Sequence, residues 1–290
     1  FYPTPQSIDR FLSTAPLPRL TPTQRQTLRN PPTEEEIAVV LKSFKPYKAP
    51  GPDGFSAFYY KTFAQTLSPH LHKFFLSLWE GAPADFLRSD IILVPKEGKD
   101  PSYLQNNRPI SLLNVDYKIF TKILANRLNS ILASIIHPDQ VGFIPGRHAF
   151  ANTRRAVVLM EHMAGTRLPS LLISLDAEKA FHRLEWPFLF RLLTTWGFPM
   201  TFLSVLRSLY NSPTSAVITP GTVPTGFSIG NGTQQSCPLS PLLFALSLEP
   251  LLSAIRHSPH IKGVTVGKEE YKVWEYANDV LLTLSHPSTS

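Results

Sequence analysis

The spacing of apolar residues divides the chain into helical and strand-like segments. Thr33 and Glu36 form the sequence of a capping box, which predicts a helix that begins at residue 34. Apolar stripes at helical spacing predict further helices at 55–80, 117–136, 152–165, 187–210 and 238–256. Short apolar runs predict strands at 90–95, 108–113, 171–176, 215–229, 271–276 and 280–284. Because helices and strands mix without regular βαβ alternation, the pattern predicts an α+β fold.

Residue types at the ends of these segments add detail. Asp116 is placed to cap the long helix that ends before Pro138. The apolar run 171–175 has the character of a buried strand that ends at Asp176. Residues 1–32 contain seven prolines and four arginines, and this composition predicts an extended linker with little fold of its own.

The charge of the chain is unevenly distributed. The net charge is +7 over 290 residues, and residues 37–160 alone carry 15 basic and 8 acidic side chains. Such an excess indicates an anionic partner. The single Cys237 excludes an intramolecular disulfide, and no apolar run is long enough for a membrane-spanning helix. The first residues lack the pattern of a signal peptide, so we expect an intracellular protein of either nucleus or cytosol.

Candidate chemistry is concentrated where predicted strands end. Asp176 follows one strand, and Asn278 and Asp279 lie in the turn between the last two. Taken singly, Asp176 could be a helix N-cap, and the other pair could serve only the turn. Taken together, carboxylates from separate strands can hold a divalent cation pair for phosphoryl transfer. A hydrolase that uses Asp176 and Glu178, two residues apart on one strand face, is a further interpretation.

Several segments, in order, resemble the motifs of one family. That family is the reverse transcriptases of non-LTR retrotransposons, the long interspersed element type. Residues 174–181, Ser-Leu-Asp-Ala-Glu-Lys-Ala-Phe, resemble its first catalytic motif. Residues 232–241, Gly-Thr-Gln-Gln-Ser-Cys-Pro-Leu-Ser-Pro, resemble its nucleotide- and template-contacting motif. Residues 276–279, Tyr-Ala-Asn-Asp, resemble its Tyr/Phe-Ala-Asp-Asp hairpin. Arg-Pro-Ile-Ser-Leu-Leu, Gln-Val-Gly-Phe-Ile-Pro-Gly-Arg and the loop before Phe55 are similar to finger and N-terminal extension motifs of this branch, at 108–113, 140–147 and 48–55.

The resemblance implies a right-hand polymerase fold of the α+β class. Residues 33–165 would form an N-terminal extension and the fingers, and residues 166–290 an incomplete palm whose antiparallel sheet packs on helices, without a thumb. The implied activity is RNA-directed DNA polymerisation, in which two metal ions, Mg²⁺ or Mn²⁺, assist transfer of nucleotides from dNTPs to a primer 3′-OH. The implied partners are an RNA template, a DNA primer and a dNTP, with no membrane. RNA synthesis is a less favoured alternative, because Phe181 and the finger motifs argue for DNA.

The same resemblance assigns roles to individual residues. The catalytic positions would be Asp176, Asn278 and Asp279, with Asp176 and Asp279 as metal ligands. Phe181 would lie under the sugar and clash with a ribose 2′-hydroxyl, although its spacing alone equally suits core packing. The other substrate-binding residues would be Gln235 beside the nucleotide, and Lys96 and Arg108 on the triphosphate. Phosphate-neutralising charge would come from Lys45, Lys48, Lys96, Lys99, Arg108, Lys118, Lys122, Arg127 and Arg147.

The sequence departs from the family pattern at the site itself. Asn278 stands where the family has a carboxylate, so metal affinity should fall because the carboxamide carries no charge. His182 replaces an Asp, and Gln234 replaces an Arg. Ser236 adds a Cβ where a positive φ or close approach to substrate would favour Gly. Because the chain also stops soon after the hairpin, we expect a truncated, partly degenerate polymerase domain, with a catalytically dead nucleic-acid-binding remnant as the alternative.

Overall fold

The structure is a computed structural model, and it describes residues 3–166, 169–177, 179–219, 221, 224–285 and 287. Within these residues the α-helices are α1 Pro5–Thr14, α2 Pro22–Arg29, α3 Glu34–Ser43, α4 Ala57–Thr62, α5 Ala64–Trp79, α6 Val115–Ile135, α7 Ala149–Thr166, α8 Trp186–Thr195, α9 Met200–Leu209 and α10 Ser240–His257. The strands are β1 Arg88–Pro95, β2 Asn107–Leu113, β3 Leu171–Asp176, β4 Thr214–Val217, β5 Gly226–Ser228, β6 Val264–Val266, β7 Glu269–Tyr271, β8 Val273–Tyr276 and β9 Asp279–Leu284. Short 3₁₀ turns occur at Leu104–Asn106 and Ala180–His182. The fold is therefore a mixed α+β one, as the sequence predicts.

The chain forms two compact units, each built from segments that are distant in sequence. The first unit comprises Phe1–Thr21, Leu128–Gly197 and Pro241–Ser290, and the second comprises Pro22–Arg127 and Phe198–Ser240. The division falls within the long helix α6. None of the helices in the described residues is both long enough and apolar enough to cross a membrane.

The first unit contains a three-stranded antiparallel sheet in the order β3-β9-β8 and the separate hairpin β6-β7. Helix α8 contributes Leu189, Leu192 and Leu193 to its core, all fully buried. Helix α1 packs on α8, and the backbone N–H of Leu20 donates to the carbonyl of Trp196 at 2.9 Å. The amino-terminal segment is thus an integral part of this unit.

The second unit contains a four-stranded mixed sheet in the order β2-β1-β4-β5. Strands β1 and β2, both predicted from their apolar runs, pair antiparallel, whereas β1 and β4 run parallel. The predicted capping box is confirmed at the start of α3, where the Glu36 N–H donates to Thr33 Oγ1 at 3.3 Å and the Thr33 N–H donates to Glu36 Oε2 at 3.0 Å. Local signals in the sequence therefore located these elements correctly.

The prediction of an extended linker at residues 1–32 is wrong, because α1 and α2 lie there and bury Ile8, Leu12 and Leu28. The prolines are the reason for the error. Pro5 and Pro22 each occupy the first position of a helix, where the missing N–H would have had no partner and the fixed φ favours helix. Proline begins helices here rather than preventing them.

Three further predictions need correction. Asp116 is the second residue of α6 rather than its N-cap, and its Oδ1 accepts from the Tyr117 N–H at 2.7 Å. The predicted helix 55–80 is interrupted at Phe63, whose ψ of 24° separates α4 from α5. Strand β3 is not buried, since Leu171 is 44% exposed and Leu175 is 48% exposed. This strand lies at one edge of its sheet, where it has a neighbour on one side only.

Candidate active site

Two carboxylates meet at the end of the three-stranded sheet. Strand β3 ends at Asp176 and β9 begins at Asp279, and these two residues are paired directly in the antiparallel register. Directly opposed residues project their side chains from the same face, with Cβ atoms about 4.5–5.5 Å apart. Both side chains are exposed. The sheet register therefore brings together two residues that are about a hundred positions apart in sequence.

Asn278 completes this arrangement from the hairpin turn. Tyr276 pairs with Asp279, so Ala277 and Asn278 form a two-residue turn between β8 and β9. Ala277 has a φ of 58°, a conformation that such turns require at their first central position. The Asn278 Nδ2–H donates to Asp176 Oδ1 at 2.8 Å. All three predicted catalytic positions are thus adjacent.

The donor set of these residues suits one cation better than two. It consists of two carboxylates and one carboxamide, and within the described residues no group of three or more His, Cys, Asp or Glu could hold a metal ion. Mg²⁺ in proteins is commonly bound through one or two carboxylates together with substrate phosphates and water. The residues present therefore fit a single divalent ion whose other ligands come from substrate. For a pair of ions they lack one negative charge, because Asn278 is neutral.

Phe181 lies in a wall of aromatic rings. It belongs to the 3₁₀ turn Ala180–His182, which follows Lys179 in the left-handed conformation at φ 52°. Its ring stacks on Phe244 with centroids 4.4 Å apart, and the ring of Phe143 meets it edge-on at 6.0 Å. The ring is half-buried, so it is packed and still accessible. Glu178, the second residue of the alternative hydrolase site, lies outside the described residues.

The other predicted substrate residues lie in the second unit. Lys96 follows β1 and Arg108 lies on β2 opposite Val94, so both belong to one hairpin. Lys96 Nζ donates to the carbonyl of Gln105 at 2.8 Å, whereas Arg108 is exposed. Gln235 is also exposed and precedes Ser236, whose φ is 68°. This positive φ is the conformation that would favour Gly, the residue that the family pattern has at position 236.

Two arginines predicted to neutralise phosphate are engaged inside the protein instead. Arg147 donates to the carbonyls of Ala133, Ile136, His137 and Gln140 at 2.6–3.0 Å, and so caps the carboxyl end of α6. The Arg127 guanidinium is buried and donates to both carboxylate oxygens of Glu36, at 2.7 and 2.6 Å. The prediction of a phosphate contact is wrong for these two side chains, because each guanidinium already has protein acceptors.

Sequence reasoning missed the role of Gln140, which is fully buried and bonded to the turn of the candidate site. The motif 140–147 indicated a finger segment, and nothing local marked this side chain as a contact of the turn. The one available signal was the neighbouring Gly142, since a Gly beside a buried polar residue often allows two backbones to approach closely.

The fold and the site define a mixed α+β protein whose carboxylate pair is typical of cation-dependent phosphoryl-transfer chemistry. Residues 94–289 match the family model of the reverse transcriptases (RNA-dependent DNA polymerases), and the chain belongs to this family.

Curated relatives come from non-LTR retrotransposons. The chain is 33% identical over 270 residues to the transposon TX1 uncharacterized 149 kDa protein of Xenopus laevis, a match that covers 92% of this chain and 20% of the relative. It is 30% identical over 255 residues to a Pol polyprotein from the type-1 retrotransposable element R2 of Popillia japonica, covering 87% of this chain and 34% of the relative. It is 24% identical over 230 residues to the probable RNA-directed DNA polymerase from transposon BS of Drosophila melanogaster, covering 78% and 25%. The chain thus spans 20–34% of the length of these relatives.

Proposed function

We propose that this chain is the RNA-directed DNA polymerase domain of a retrotransposon protein, and that it adds dNTPs to a primer 3′-OH on an RNA template. The observation that carries this proposal is the direct pairing of Asp176 with Asp279 at a sheet end, with Asn278 bonded across it. Membership of the reverse transcriptase family supports it. In this proposal the sheet β3-β9-β8 belongs to the palm, within residues 166–290, and the hairpin β1-β2 belongs to the fingers, within residues 33–165.

The chemistry at the sheet end follows from its charges. Reverse transcriptases use divalent metal ions, and Mg²⁺ or Mn²⁺ here would neutralise charge on the reacting phosphate. Asp176 and Asp279 would hold the ion, since both carboxylates are exposed on one face. Asn278 contributes no charge and bonds Asp176 through its Nδ2–H. Loss of one group that stabilises transition-state charge typically costs about 10²–10³ in rate, so we expect slow turnover from this chain.

Substrate contacts would come from the aromatic wall and from the finger hairpin. Phe181 stacks on Phe244 and meets Phe143 edge-on, and in this proposal its ring would clash with a ribose 2′-hydroxyl. Lys96 and Arg108 share one hairpin and would bind the triphosphate, and Gln235 would contact the nucleotide. Cationic donors on phosphate oxygens are favourable because both Coulomb attraction and hydrogen bonding act together.

A second candidate function is nucleic-acid binding without catalysis. Asn278 favours it, since the described residues provide two carboxylates at the site rather than three. The net positive charge of residues 37–160 would be retained in such a protein. The two candidates agree on the partner, a template and primer duplex, and differ only in turnover.

Primer extension on an RNA template with Mg²⁺ or Mn²⁺ separates the two functions. We expect little incorporation by the unmodified chain and an increase of about 10²-fold with Asn278→Asp. Asp176→Asn should abolish incorporation in both backgrounds while duplex binding, measured by fluorescence anisotropy, persists. Asn211→Asp adds the same charge at an exposed turn and serves as the control. If Asn278→Asp and Asn211→Asp change incorporation equally, residue 278 is not a metal ligand, and nucleic-acid binding without catalysis is the favoured function.

A further inference from the structure

The side chain of Gln140 bonds the hairpin turn from outside the hairpin. Its Oε1 accepts from the backbone N–H of Ala277 at 3.3 Å and from that of Gly142 at 2.6 Å. Its Nε2 donates to the side chain of Glu275 and, at 3.5 Å, to the carbonyl of Ala277. One fully buried carboxamide therefore holds both backbone polar groups of the first turn residue.

The backbone around Gln140 strengthens this attachment. Gln140 and Glu275 form an isolated parallel bridge. The Glu275 N–H donates to the carbonyl of Asp139 at 3.1 Å, and the Val141 N–H donates to the carbonyl of Glu275 at 3.2 Å. Asn152, also buried, adds a bond from its Nδ2–H to that same Glu275 carbonyl at 2.8 Å. Segment 139–142 thus runs along the hairpin like a short additional strand.

Gly142 shows how closely the two backbones approach. A Cβ built on Gly142 would lie 2.8 Å from the Cα of Ala277 and closer still to its nitrogen. Backbone atoms cannot yield as a flexible side chain can, so any larger residue must displace the turn. The φ of Gly142 is not positive, and space rather than conformation therefore requires glycine here.

We propose that Gln140 is a positioning residue, which fixes the turn Ala277–Asn278 so that Asn278 and Asp279 face Asp176. Ala277 holds a positive φ that alanine disfavours, and it immediately precedes Asn278. Without Gln140 the buried N–H and carbonyl of Ala277 lose their side-chain partner, and the turn has less to hold it in this conformation. The inference rests on the proposed function for the role of the carboxylates, but the positioning itself is a property of the metal-free protein.

The first test compares Gln140→Leu with Leu192→Ala, a core substitution on α8 in the same unit. Amide hydrogen exchange of segment 273–284 is measured without metal, and binding of Mn²⁺ alone is measured by the electron paramagnetic resonance signal of the free ion. Gln140→Leu should accelerate exchange in the segment at least tenfold and weaken Mn²⁺ binding at least fivefold. Leu192→Ala should lower the melting temperature and change neither quantity. Unchanged exchange and Mn²⁺ binding in Gln140→Leu would overturn the proposal.

A second pair of variants covers the case in which Gln140→Leu does not fold. Gly142→Ala keeps Gln140 and pushes on Ala277, whereas Gly165→Ala in α7 adds the same methyl group where nothing beyond its chain neighbours and the backbone of its own helix lies within 4 Å. The first should accelerate exchange of segment 273–284 and the second should not; equal exchange would count against positioning by this segment. If Asp176→Ala does not reduce the Mn²⁺ binding of the unmodified chain, the metal role in the proposed function fails. The exchange comparison still decides the role of Gln140.

Discussion

Within the described residues five non-glycine residues have a positive φ, and four of them lie in segments that resemble polymerase motifs. These four are Phe143, Lys179, Ser236 and Ala277, and the fifth is Ser212. A positive φ costs an L-residue about 1–2 kcal/mol, so it persists only where the surroundings enforce it. Residues under such strain concentrate at functional sites. The strain pattern therefore marks the same segments as the sequence motifs do, and from an independent kind of observation.

Ser236→Gly is expected to stabilise the protein. Ser236 is exposed and its φ of 68° suits glycine, so the substitution should raise the free energy of unfolding by about 0.5–1 kcal/mol. Urea denaturation measures the change. Ser204, exposed on α9 in the same unit, provides the matched control, because glycine within a helix should lower the free energy of unfolding by roughly 0.5 kcal/mol. Destabilisation by both changes would show that the Ser236 side chain makes a contact that outweighs its strain.

Glu275 should make stability depend on pH. Burial, reinforced by the nearby Glu249 carboxylate, raises the pKa of Glu275 from 4.5 to about 9. The unfolded chain releases this proton near pH 4.5 and the folded protein keeps it to about pH 9. The folded state thus binds more protons within that window, and the free energy of unfolding falls as pH rises through it, by at most about 1.4 kcal/mol per pH unit.

Glu275→Gln is the test of this pH dependence. An amide stays neutral at every pH, so the variant should be more stable than the parent above pH 5 and its stability should fall less steeply towards pH 9. Some slope should remain, because burial also raises the pKa of Glu249 and that of Asp116, the latter to about 6. Urea denaturation at pH 5, 7 and 8.5 measures the slopes, with the exposed Glu161→Gln as the charge-matched control. Parallel slopes for parent and Glu275→Gln would contradict a buried, protonated Glu275.

At the scale of the element, sequence signals worked where they are local. The capping box of α3 and the turn between β8 and β9 each depend on residues a few positions apart, and each is present. Signals failed where tertiary contacts decide. Strand β3 lies at the edge of its sheet with Leu171 and Leu175 exposed, and the hairpin partners of the Gln140 side chain are 135 and 137 residues away. The candidate carboxylates were predictable, whereas the side chain that holds their turn was not.

The amino-terminal helices give a direct test at this scale. Leu28 on α2 is fully buried in the second unit, which also contains α9 packed against α2. Leu28→Ala should lower the free energy of unfolding by about 2–4 kcal/mol, because it removes buried methyl groups and leaves a cavity. Val39→Ala on α3, where the valine is 61% exposed, should change it by less than about 0.5 kcal/mol. Equal small effects in urea denaturation would mean that α2 does not pack as described.

At the scale of the whole molecule, part of the positive charge is engaged within the protein. Residues 37–160 carry 15 basic side chains, but Arg127 and Arg147 are bonded to protein acceptors. Those two guanidinium groups have acceptors within the protein, as do Lys61 and Arg155, and in the proposed function the exposed cations would meet the anionic partner. Net charge alone therefore overstates the number of phosphate contacts available to the chain, and the structure separates the two sets of residues.

The salt dependence of nucleic-acid binding distinguishes these two sets. The logarithm of the binding constant for a template and primer duplex should fall linearly with the logarithm of salt concentration, as expected when cations release counterions from phosphates. Lys99→Ala and Arg108→Ala alter exposed cations, and each should weaken binding and reduce the slope by roughly one. Arg147→Ala should leave the slope unchanged and lower the melting temperature instead, since it removes the cap of α6. Fluorescence anisotropy from 50 to 300 mM salt measures the slope. A reduced slope in a folded Arg147→Ala protein would show that the Arg147 side chain contacts phosphate.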